Sequence, residues 1–198
     1  ICYIISVYRY IKKEFINWVA QIDVIQAKHK KMTFLENSQF ITFNYTSTLQ
    51  SVYGIEDYRV FHIHGRAKTN DELFFGHGEN VTEPPEVDEH GESTFDMFSD
   101  SKRASRQPLY AFKKPVDFIL EKNKSYFNQI NNIDKVVIIG HSLSTIDQPY
   151  FRHIENCLVD ARWKVYCYEK EDKKNHTQSL ADCGVSKDRI EVIECADL

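Results

Sequence analysis

Asn44, His64 and the run Gly140-His141-Ser142 are the residues of this 198-residue chain whose types and spacing could do chemistry together. Each closes an apolar run. QFITF leads into Asn44-Tyr45-Thr46, RVFHI into His64-Gly65, and VVII into Gly140-His141-Ser142. If the runs are parallel strands, their carboxyl ends face one crevice, where α/β proteins bind ligands. An amide, an imidazole, a glycine turn and a hydroxyl suit a ribose and its phosphates. His64 would serve as general base on a sugar hydroxyl.

Those residues need elements to position them, and Lys135 to Phe151, KVVIIGHSLSTIDQPYF, is the organising stretch. Val136 to Ile139 is a continuous β-branched run, expected for a central parallel strand covered on both faces. Gly140 permits a sharp turn. Ser144 or Asp147 is expected to cap the helix that follows, with Pro149 in its first turn. Upstream, Ile4, Ile5, Tyr8, Ile11, Phe15, Trp18 and Val19 recur at helical spacing, which predicts a helix over Cys2 to Lys28 facing a core or a partner. Short strands are predicted at Gln39 to Phe43, Arg59 to Ile63 and Leu73 to Phe75, and a short helix at Ser47 to Tyr53 closed by Gly54.

From Pro115 onward helices and strands alternate. Helices are expected at Pro115 to Ile130, Gln148 to Val159 and Thr177 to Cys183, the last closed by Gly184. Strands are expected at Trp163 to Tyr168 and Arg189 to Ile193. Such alternation implies parallel strands with right-handed crossovers. Glu79 to Pro108 has a different character, with Pro84, Pro85, acids and serines. It is expected to be an insertion or lid within a single domain over residues 1–198.

Several residues admit other roles. GHSLS approaches the G-x-S-x-G elbow, which would make Ser142 a hydrolase nucleophile, but Ser144 stands where the elbow has glycine. His62 and His64 alternate along one strand, and His77 and His90 could join them at a metal, although four histidines without fixed spacing more often have no metal. His141 could serve only to bond backbone within its turn.

Net charge is −4, so nothing draws the whole chain to nucleic acid or an anionic membrane. The five cysteines include no C-x-x-C pair, which predicts reduced thiols in a cytoplasmic protein and no zinc ribbon. Ile1 to Tyr8 is too short to span a bilayer.

FITFNYTSTLQSVYGI, VFHIHG, ELFFGHG and VVIIGHSLSTIDQPYF together resemble the bacteriophage abortive-infection AbiH family, over about Phe40 to Phe151. The same motifs are similar, more remotely, to the sirtuin-like NAD-binding fold. The resemblance implies an α/β, Rossmann-like three-layer sandwich with a mostly parallel sheet. It implies NAD as substrate or ligand, with no metal expected. Asn44 then matches a ribose-contacting asparagine and His64 a catalytic histidine. Gly140, His141 and Ser142 match the cofactor turn, and Thr46 and Gly65 fall beside the ligand. Thr46 stands where an acid is usual, and the sirtuin zinc cysteines have no counterpart, which argues against deacetylation. AbiH-like proteins are expected to carry a glycine-rich GNGFD-type phosphate loop near their N-terminus. This sequence has none and does not begin with Met, so an N-terminally truncated part of a longer chain is expected.

Two functions compete on this reading. One is an anti-phage enzyme that hydrolyses NAD. The other is a non-catalytic nucleotide-sensing or protein-interaction module in the same defence role. A phage trigger or partner protein, and a homo-oligomer, belong to either.

Overall fold

Parallel pairing of short strands is the common feature of the fold. A computed structural model of the chain describes residues 2–24, 32–78, 90, 106–169 and 171–195. The expected insertion over 79–108 lies outside the described residues, apart from residue 90 and residues 106–108. The chain divides into two compact units, Ile1–Lys114 and Pro115–Leu198.

The first unit begins with the helix Cys2–Gln21. Val19 is its buried anchor, packed with Ala67 and Leu73, and Phe15, Ile16 and Tyr45 close over that cluster. Phe15 also stacks on Phe75 at 4.5 Å. Ile11 and Trp18, expected to face inward, are exposed. Strands β1 (Phe40–Thr42) and β2 (Val60–His62) pair in parallel, with Phe40 opposite Val60 and Thr42 opposite His62. Between them runs the helix Thr48–Tyr53, ended by Gly54 in left-handed backbone at φ 68. Glycine has no Cβ to oppose that conformation. The expected strand Leu73 to Phe75 does not form. Leu73 and Phe74 are apolar because they are buried. Phe74 N–H donates to the His64 carbonyl at 2.9 Å, and its own carbonyl accepts from Tyr45 Oη at 2.7 Å.

The second unit is more regular. Strands β3 (Lys135–Ile139), β4 (Arg162–Cys167) and β5 (Ile190–Glu194) form a parallel sheet in the order β3-β4-β5. β4, whose Trp163, Val165 and Cys167 are fully buried, is therefore its middle strand. β3 is an outer strand, against expectation, and Val137 is 44% exposed. A run of β-branched residues reports a strand but not its neighbours. Helices Gln148–Cys157 and Asp172–Asp182 connect the strands. The expected helix over Pro115 to Ile130 is broken into Val116–Lys122 and Lys124–Phe127. Asn123 breaks it: its Nδ2 donates to the Ile119 carbonyl at 2.7 Å, competing with the backbone pattern. Ile119 and Phe127 are buried as expected, while Phe118 is exposed.

A polar lock crosses this core. Glu155 is buried on helix Gln148–Cys157 and accepts from Trp163 Nε1 at 3.0 Å and from the Arg189 guanidinium. Arg189 also donates to the Ala161 carbonyl at 2.9 Å. A buried carboxylate so bonded avoids the cost of an unpaired charge.

Candidate functional site

Asn44, Thr46, His64 and Gly65 lie in the first unit, at the ends of β1 and β2. Hydrogen bonding holds the first turn. Asn44 N–H donates to Thr42 Oγ1 at 3.2 Å, and the hydroxyls of Thr46 and Thr48 meet at 2.8 Å. The Asn44 carbonyl pairs with His62 Nδ1 at 3.1 Å. A carbonyl only accepts, so Nδ1 carries the proton and Nε2 accepts from the Gln50 amide at 3.0 Å. Burial pushes the His62 imidazole below its ordinary value of 6.5, and its bond to Asn44 offsets only part of that. His62 thus fixes the Asn44 turn. That role was not legible in the sequence, where His62 suggested a metal ligand.

His64 is 3% exposed. The Phe43 ring stands edge-on to its imidazole at 5.4 Å, and the Tyr45 ring tilts against it at 6.2 Å. The residues flanking Asn44 therefore also flank His64. Gly65 follows at φ 84, where a Cβ would meet the Glu72 carbonyl oxygen at 2.3 Å. Ala67 N–H donates to the Tyr45 carbonyl at 2.7 Å and ties the two turns together. The Asn44 side chain itself is exposed.

Gly140, His141 and Ser142 lie in the second unit, at the end of β3. Gly140 is at φ 66, and the atom nearest to a Cβ built there is the Tyr168 hydroxyl, at 3.9 Å. Among the described residues, nothing else lies within 4 Å of that position apart from its chain neighbours. Ser142 is exposed, and so is Tyr168, which sits just past the end of β4 and is 77% exposed. The strand-end rule applied to β4 makes Tyr168 a further candidate. His141 faces inward. Leu143 N–H donates to its Nδ1 at 2.9 Å, and its Nε2 lies 3.5 Å from the Asp147 carboxylate. Asp147 occupies the N-cap position of helix Gln148–Cys157 without a side-chain cap bond, and Ser144 contributes there through its backbone carbonyl. His176 completes the surroundings. Burial lowers its imidazole below 6.5, Asp172 opposes that shift, and His141 adds to it. With its ring nitrogens turned to Leu143 and Asp147, His141 is not placed as the base that a Ser142 nucleophile would need.

Among the described residues, no group of three or more His, Cys, Asp or Glu side chains is arranged to hold a metal ion. Cys157, Cys167, Cys183 and Cys195 are free thiols. No described helix is long and apolar enough to cross a membrane.

The family model described as bacteriophage abortive infection AbiH matches residues 2–167. No curated protein and no solved structure matches the chain.

Proposed function

The chain belongs to the bacteriophage abortive-infection AbiH family, and we propose that it serves phage defence by binding a nucleotide of the NAD class at the Gly140–Ser142 turn. The observation that supports nucleotide binding is the open backbone at Gly140, where, among the described residues beyond its chain neighbours, no atom comes closer than 3.9 Å to a Cβ built there. A phosphate can approach such a backbone closely, as it does at glycine turns after parallel strands. Ser142 would supply a hydroxyl to the phosphate. Tyr168 would offer its ring or phenol to the base. Within the first unit, the family resemblance would have Asn44, Thr46 and Gly65 attend a ribose and His64 orient or deprotonate a ribose hydroxyl in glycosidic cleavage. A sirtuin-like, Rossmann-like sandwich is the architecture this reading expects, and a cytoplasmic setting supplies the nucleotide.

His64 also favours a second reading. An imidazole only 3% exposed between two aromatic rings is placed to shape a turn as much as to abstract a proton. The protein would then be a nucleotide-sensing or protein-interaction module without catalysis, answering a phage trigger or partner protein, alone or as a homo-oligomer. NAD levels in infected cells decide between the two. Loss of a general base costs about 10²–10⁴-fold in rate, so His64→Ala should nearly abolish NAD loss and protection if cleavage is the function. Full protection by His64→Ala with NAD unchanged would leave the non-catalytic reading standing.

A further inference from the structure

The turn that presents Ser142 is held from within by an imidazole. Leu143 N–H donates to His141 Nδ1 at 2.9 Å. A backbone N–H only donates, so Nδ1 carries the lone pair and the proton of the neutral ring sits on Nε2. That proton faces the Asp147 carboxylate, 3.5 Å away. Phe151 closes edge-on against the ring at 5.0 Å. Two oddities of the turn follow from this arrangement. Asp147 stands at an N-cap yet makes no cap bond, because its carboxylate is turned to His141. Leu143 adopts left-handed backbone at φ 53, a conformation that L-residues with a Cβ avoid, while its side chain is 2% exposed. Leucine has no side-chain polar group to favour that backbone. The His141 bond and the burial of its own side chain hold it there.

We propose that His141, oriented by Asp147, is a positioning residue of the nucleotide turn. Its Nδ1 accepts the N–H two residues on, as an Asx side chain does in a turn. By fixing Leu143 it sets where Gly140 and the exposed Ser142 stand. This rests on the nucleotide reading above and changes one role within it: the ring of His141 serves the turn, and the ligand meets its neighbours.

The test compares wild type, His141→Ala and His141→Asn in the intact protein. Asparagine can accept the Leu143 N–H through Oδ1, and alanine cannot. Calorimetry with NAD should show His141→Ala weakened by about tenfold, the effect of one lost hydrogen bond, and His141→Asn recovering most of it. Equal affinity in wild type and His141→Ala overturns the proposal. So does a His141→Asn variant as weak as His141→Ala, which would mean that the ring itself contacts the ligand. Nitrogen-15 spectra of the wild-type imidazole give an independent readout that no folding defect can confuse. A proton on Nε2 and none on Nδ1 is expected, and the opposite tautomer overturns the brace. If wild type binds no NAD, the nucleotide reading fails, and amide exchange still decides the brace. The Leu143 N–H should exchange faster in His141→Ala and regain protection in His141→Asn; unchanged exchange in His141→Ala sinks it.

Discussion

The turns after β2 and β3 look alike in sequence and differ in structure. Each follows a parallel strand, and each pairs a histidine with a glycine in left-handed backbone. At β2 the glycine is jammed: a Cβ on Gly65 would lie 2.3 Å from the Glu72 carbonyl oxygen and 2.9 Å from the Leu73 side chain. At β3 the space over Gly140 is open to 3.9 Å. His64 is buried among aromatic rings, whereas His141 braces a turn whose next residue is exposed. One glycine is required because other chain must pass close to it. The other has only the Tyr168 hydroxyl within 4 Å among the described residues beyond its chain neighbours. A histidine–glycine pair at a strand end is therefore not by itself evidence of a ligand, since the space above the glycine differs between the two turns.

Substituting the jammed glycine should have the largest effect. Gly65→Ala adds a Cβ where a carbonyl already sits and places it in left-handed backbone. A destabilisation of about 3 kcal/mol is expected from overpacking and strain combined. Thermal melting of the purified variant checks it, and a melting temperature equal to wild type would show that Glu72 yields easily and that the turn is not tight.

Acid should separate the regions next. The folded-state values of His62 and His176 are both lowered by burial, below the 6.5 they have when unfolded. The unfolded chain then binds more protons just below that pH. Their stabilising contribution is present above about pH 6.5 and is lost as the pH falls below it. Melting should be lower at about pH 5.5 than at about pH 7.5. His62→Gln should shrink the part of that drop that comes from the Asn44 turn, and His176→Gln the part from the second unit. An undiminished drop in both variants would assign the acid sensitivity elsewhere.

Local signals carried much of the fold. The helical spacing before Gln21, the glycine after Tyr53 and the alternation after Pro115 all act within a few residues of chain, and the elements they predict are present. Features that depend on distant partners were not legible. The outer place of β3 depends on which strand pairs with it. The break at Asn123 depends on a side chain competing for the Ile119 carbonyl. Leu73 and Phe74 looked like a strand because burial and strand both select apolar residues. The candidate site divided in the same way. The strand-end positions of Asn44, His64 and Gly140 could be read from runs ending in polar residues, but the bonds from His62 to Asn44 and from Leu143 to His141 depend on ring orientation. Nothing in the sequence marks a tautomer.

At the open turn, Gly140→Ala should be mild for folding. Its φ of 66 costs a residue with a Cβ about 1 kcal/mol, and the new methyl group meets the Tyr168 hydroxyl at ordinary van der Waals distance. The same methyl group would fill the space assigned to a phosphate. The variant should therefore melt only slightly below wild type while losing NAD binding by calorimetry. Undiminished binding would move the ligand away from this turn and remove the contrast with Gly65.

The smallest effect on folding belongs to Ser142→Ala, and it isolates the ligand from the scaffold. Ser142 is exposed, and the bond that shapes its turn runs between Leu143 and His141 and bypasses the serine hydroxyl. Removing Oγ should leave the melting temperature and the His141 tautomer unchanged. If the hydroxyl meets a phosphate oxygen, its loss should weaken NAD binding by about 1.5–3 kcal/mol, the range for a hydrogen bond to a charged group. Ser142→Thr, which keeps the hydroxyl, should bind more nearly as wild type does. A Ser142→Ala variant that binds normally, beside a Gly140→Ala variant that does not, would place the phosphate on the backbone amides of the turn alone. The open turn would then work as an anion cradle of main chain, with the side chain at 142 facing solvent.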